Sequence, residues 1–117
     1  MNSRKVLETI VAAAEDKKAV DVVVLDLQEI TIIADYFVIC SGESTPQVRA
    51  IYRGIMDDLA EIGVTPNWRS GSEEGGWVLL DYGGIVVHVF HHSQREYYDL
   101  ENLWGDAKRL TPEEILA

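Results

Sequence analysis

The sequence predicts an α+β domain, a mixed β-sheet with flanking helices on at least one face. Three observations predict it. Stretches with apolar residues at helical spacing alternate with runs rich in β-branched residues. The adjacent glycines Gly83-Gly84 join two such runs at the length of a tight hairpin. The helix-opening pair Thr45-Pro46 falls between strand runs and not inside one.

The elements follow in chain order. After Asn2 or Ser3 as a cap, Val6, Leu7, Ile10, Val11 and Ala14 predict an amphipathic helix to about Lys17. Val20 to Leu27 reads as a buried strand and Asp35 to Gly42 as a second, with QEITIIA between them ambiguous. Thr45 is expected to cap the next helix, with Pro46 at its first position and Gly63 at its stop. Val48, Ile51, Tyr52, Ile55, Leu59 and Ile62 give that helix one apolar stripe for the sheet. A short strand is expected over residues 64–69, followed by SGSEEGG as a mobile polar loop. Beyond the hairpin, Ser93-Gln94-Arg95-Glu96 matches a capping box and predicts a helix with Tyr97, Leu100, Leu103 and Trp104 as its stripe and Gly105 as its end. Thr111-Pro112 opens a short tail helix.

At 117 residues, 47% of them hydrophobic and 26% charged, the chain suits one folded core and not two. Its formal charge of −10 repels phosphate backbones and favours encounter with basic partners, so no sequence-specific nucleic acid is expected. The single cysteine, Cys40, lies in the apolar run DYFVIC and reads as a structural thiol in a reducing compartment. The N-terminal segment has no signal-peptide pattern and no apolar run reaches membrane-spanning length, which points to the cytoplasm.

The hairpin GGWVLLDYGGIVVHVFHH carries the residues of greatest interest. A two-residue Gly83-Gly84 turn sets Tyr82 opposite Ile85, Leu80 opposite Val87 and Val78 opposite Val89, an apolar face that belongs under helices. The other face pairs Asp81 with Val86, Leu79 with His88 and Trp77 with Phe90, and brings Asp81 within diagonal reach of His88. That face is too apolar for water, so the chain's own helices or another protein are expected to cover it. The His88–Asp81 pair reads either as a satisfied internal histidine or as part of a protein-binding face. A metal site would need more converging ligands, and no spacing in the sequence supplies them.

An enzymatic alternative rests on Ser41-Gly42-Glu43-Ser44, a strand-to-helix loop of the kind that holds phosphate in nucleotidyltransferases. The next acidic residues, Asp57 and Asp58, are adjacent on a helix and point apart, so the metal-binding carboxylates of such an enzyme are missing.

The segments DYFVICSGESTPQVRAI, GGWVLLDYGGIVVHVF and REYYDLENLWGDA together resemble the ribosomal silencing factor family, also called Iojap, over about residues 5–107. The combination of W-x-x-x-D-x-G-x-x-x-x-H-x-F with Y-x-L-E-x-L-W carries the resemblance. It implies a nucleotidyltransferase-like fold lacking catalytic carboxylates, and a binding protein without cofactor, metal or catalytic residues. It further implies attachment to the large ribosomal subunit through ribosomal protein uL14, which hinders subunit joining and damps translation when nutrients are short. The family pattern falls on Asp35, Gly42, Ser44, Gln47, Trp77, Asp81, Gly83, His88, Phe90, Tyr98, Leu100, Glu101, Leu103 and Trp104. Of these, Gly42 and Gly83 are read as backbone requirements, Ser44 and Gln47 as a helix start, and Leu100, Leu103 and Trp104 as core. The expected partner-binding residues are Trp77, Leu79, Asp81, His88, Phe90 and Tyr98. Residues 1–107 are assigned to the domain and 108–117 to a tail outside it. A homodimer is expected when no partner is present.

Overall fold

The computed structural model describes residues 2–117. Helix α1 (Ser3–Asp16) leads into strands β1 (Val20–Asp26) and β2 (Tyr36–Gly42), followed by helix α2 (Thr45–Glu61). Strands β3 (Trp68–Ser72), β4 (Trp77–Asp81) and β5 (Ile85–His91) come next, then helices α3 (His92–Tyr98) and α4 (Leu100–Leu103), strand β6 (Lys108–Leu110) and helix α5 (Pro112–Leu116). The strands form one sheet in the order β3-β4-β5-β2-β1-β6. Only β2 and β5 run parallel; every other neighbouring pair is antiparallel. This is the mixed α+β sheet that the sequence predicts.

Helices α1 and α2 cover one face. Ile10, Val11, Ile51, Ile55 and Leu59 pack there against Val38, Val78, Leu80, Val87 and Val89, all buried. On the other face Leu25, Phe37, Ile39 and Phe90 form a second core beneath Leu100 and Trp104 of the α3–α4 segment. The hairpin register is the expected one: Trp77 opposes Phe90, Leu79 opposes His88 and Asp81 opposes Val86. Gly83 sits at φ +89 in the turn, a conformation that glycine adopts without strain.

Several expectations are corrected. Ser44, not Thr45, caps α2, its side chain accepting from the Gln47 amide at 3.2 Å. Strand β3 runs from Trp68 to Ser72, so it shares only Trp68 and Arg69 with the strand expected over residues 64–69 and extends into the stretch expected to be loop. All five of its residues are exposed, so this edge strand has no apolar period to read. The loop shrinks to a turn whose Glu73 accepts bonds from Arg49 Nε at 2.7 Å and the Tyr52 hydroxyl at 2.8 Å on α2. Arg49, then Tyr52, pulls the Glu73 carboxyl down to about 2, so this turn is tied down and does not hang free.

The expected capping box at Ser93 does not form; His91 caps α3 instead. The box occurs at Thr111 and Glu114, where it opens α5. The expected single helix breaks at Asp99, which takes the left-handed conformation at φ 49. The break turns Tyr97 and Leu103 outward, 79% and 71% exposed, while Leu100 remains buried. Leu103 is therefore not core.

The boundary expected at residue 107 marks no break in the fold. Strand β6 pairs with β1, and α5 packs on α1 through Ile115, which is 1% exposed. Arg4 of α1 donates to the Ile115 carbonyl at 2.6 Å.

Candidate protein-binding site on the hairpin face

Strand alternation places Trp77, Leu79 and Asp81 of β4 on the same face as His88 and Phe90 of β5. The Trp77 ring stacks on Phe90 with centroids 4.9 Å apart, and the ring of Tyr98 in α3 lies 4.4 Å from the indole. Trp77 is half-buried, so one part of the indole supports the second core and another meets solvent. Tyr98 is 43% exposed, and Leu79 and Asp81 are half-buried.

The expected Asp81–His88 bond does not form. Asp81 Oδ1 accepts from the Gly83 amide at 2.8 Å and so fixes the turn two residues away. His88 Nδ1 instead accepts from the Trp77 indole Nε1 at 3.2 Å. Its Nε2 is buried without a hydrogen-bond partner, and its ring packs edge-on against Phe37 at 4.6 Å. Burial pushes the imidazole pKa down to about 4, so it is neutral near pH 7.

Burial also divides the six expected contact residues. Phe90 is fully buried and His88 is 4% exposed, so they form the floor beneath Trp77 and present almost no surface. Trp77, Leu79, Asp81 and Tyr98 retain accessible surface. Sequence reasoning missed Trp68, which is 65% exposed and opposes Asp81 on the same face. Its cross-strand pairing would have found it, had β3 been placed in register.

The α3–α4 segment is pinned beside this face by Arg95. Its guanidinium donates to Glu101 Oε2 at 2.9 Å, the Ser41 hydroxyl at 3.0 Å and the Val20 carbonyl at 3.3 Å. A cleft of about 940 Å³ lies alongside, lined by Ser41, Glu43, Arg95, Asp99, Glu101 and Arg109 among others.

The Gly42 loop has a structural explanation. A side chain on Gly42 would lie 2.9 Å from the Val48 amide nitrogen, so the glycine lets α2 approach β2. The amides that would cradle a phosphate are engaged: Glu43 N donates to Gln47 Oε1 at 2.7 Å, and Gln47 N to Ser44 Oγ. Cys40 is buried, and burial pushes its thiol up to about 12, as befits a structural residue. Among the described residues no three His, Cys, Asp or Glu side chains are grouped to hold a metal ion, and no helix is long and apolar enough to cross a membrane.

A family model described as "Ribosomal silencing factor during starvation" matches residues 1–117. The ribosomal silencing factor RsfS of Bacillus subtilis is 49% identical over 107 residues, 92% of this chain and 91% of that protein. The chloroplastic protein Iojap of Arabidopsis thaliana is 35% identical over 83% of this chain and 40% of its own length. A crystal structure from Chromobacterium violaceum superposes with a TM-score of 0.85 at 36% identity, over 90% of this chain and 88% of that one. Another, from Bacillus halodurans, gives 0.81 at 39% identity over 93% and 99%. With the family pattern matched from end to end and the same architecture in solved relatives, this chain belongs to the ribosomal silencing factor family, RsfS.

Proposed function

We propose that this chain binds the large ribosomal subunit through ribosomal protein uL14 and, by occupying that position, keeps the small subunit from joining. Translation is thereby lowered when nutrients are short. The observation that carries the reading is the half-exposed Trp77, stacked on Phe90, held by His88 and flanked by Leu79, Asp81 and Tyr98. A rigid aromatic anchor with sparse polar groups around it is the usual form of an interface hot spot. The net charge of −10 suits a basic ribosomal protein.

In this reading the factor acts by steric occlusion in the cytoplasm, without catalysis or cofactor. The engaged Glu43 and Gln47 amides favour it over nucleotide binding at Gly42. When no ribosome is bound, the open part of the hairpin face is covered in a symmetric homodimer.

Gradient fractionation of cell extract tests the occlusion. The protein is expected with free large subunits and absent from joined ribosomes, and Trp77→Ala is expected to move it to the unbound fractions. Equal distribution between free subunits and joined particles would overturn the reading.

A further inference from the structure

The β1–β2 connection exposes three isoleucines within four residues. Ile30 is 41% exposed, Ile33 66% and Ile32 102%. Isolated surface apolar residues need no explanation, but a cluster led by a fully exposed isoleucine is a patch.

The loop is also pre-shaped. Leu27 N donates to the Asp35 carbonyl at 2.8 Å and closes its base, and the Ile30 and Thr31 amides both bond to the Leu27 carbonyl. The Ile33 amide donates to Thr31 Oγ1, and Asp35 N to the Gly84 carbonyl of the hairpin turn. A knob held in this way loses little conformational freedom on binding.

Its surroundings are acidic. No basic residue stands between Lys18 and Arg49 in the sequence. Lys108 lies opposite Asp26 in the β1–β6 register, but Glu29 and Asp35 are exposed and, among the described residues, enter no ion pair. Such a field repels nucleic acid and anionic lipid, and selects an apolar pocket bordered by cations.

We propose that Ile30, Ile32 and Ile33, presented between Glu29 and Asp35, form a second docking point for a protein partner whose surface offers an apolar pocket bordered by lysine or arginine. Asp35, at the base of the knob, bonds the Gly84 carbonyl at the turn end of the hairpin, whereas Trp77 lies at the other end, four strand residues and so roughly 13 Å from Asp81. The two points grip one partner surface. The inference rests on the ribosomal reading above and places the pocket on a protein of the large subunit.

The test titrates purified large ribosomal subunits with the full chain and with Ile32→Ser, Ile32→Asp combined with Ile33→Asp, and Glu29→Lys, each checked by thermal melting. Ile32→Ser changes only a fully exposed side chain, so it remains informative if the double variant does not fold. The isoleucine variants are expected to bind about tenfold or more weakly, the scale of a lost apolar anchor, and Glu29→Lys to bind more weakly with a shallower salt dependence. Wild-type affinity in the isoleucine variants would overturn the inference and leave the ribosomal reading intact; no binding by the wild-type chain would remove both. Loss of self-association with unchanged subunit binding would also overturn it, by assigning the knob to a second copy of this chain.

Discussion

The Trp77 indole N–H reaches diagonally across the β4–β5 ladder to Nδ1 of His88, 3.2 Å away. Because Nδ1 accepts, the imidazole proton belongs on Nε2, which faces buried surroundings without an acceptor. A protonated His88 would lose the indole bond and place a charge among Phe37, Phe90 and Trp77.

This arrangement predicts acid sensitivity. The folded-state pKa of about 4 lies below the ordinary 6.5, so the unfolded chain binds the extra proton first. The contribution of His88 is complete above about pH 6.5 and is lost progressively as pH falls toward 4, by about 3 kcal/mol. Urea unfolding at pH 7.5 and 4.5 should show that loss in the wild type and a smaller one in His88→Phe.

Trp77 is expected to serve both fold and partner. Trp77→Ala should destabilise the chain by about 1–3 kcal/mol and weaken subunit binding by at least about tenfold. Trp77→Phe should retain most stacking but lose about 1 kcal/mol with the bond to His88. Thermal melts and subunit titrations on the same variants separate the two effects.

Arg95 links α3, α4 and the ends of β1 and β2 through one guanidinium, with its side chain only 11% exposed and that of Glu101 19%. Arg95→Met should cost about 1.5–3 kcal/mol, the range for bonds to charged groups. Amide hydrogen exchange over residues 92–103 should accelerate more than in the α1–α2 layer.

Ile115→Ala should destabilise by about 2–4 kcal/mol, because it empties a buried site between α5 and α1. Leu103→Ala should change stability by less than about 0.5 kcal/mol, since Leu103 is exposed. Denaturant midpoints of the two variants check this reversal of their expected roles.

Where pattern and packing agree, the sequence discloses the structure. Two glycines force a two-residue turn, and strand alternation then assigns every hairpin side chain to its face. The stripes on α1 and α2 are readable because each helix buries one continuous side. Strand β3 is displaced from its expected bounds because WRSGS buries no side chain to fix its limits or register, and the face that Trp68 occupies is lost with the register. The break at Asp99 leaves no mark either, since aspartate adopts the left-handed conformation at modest cost and the flanking apolar spacing suits an unbroken helix. Asp81 lies within diagonal reach of His88, but a nearer backbone amide, that of Gly83, satisfies it. The tail meets the core through Ile115 and the partly buried Leu110 only, too little for a periodic signal.

The bond from Arg4 to the Ile115 carbonyl joins groups 111 residues apart. During synthesis, therefore, the first helix waits without its α5 cover, and β1 without its β6 neighbour, until nearly all of the described chain has left the exit tunnel. Contacts of such long sequence separation slow folding, because the loop must close before it is rewarded. A nascent factor thus carries an open sheet edge and an uncovered patch on α1, and becomes fully closed only after those last segments emerge.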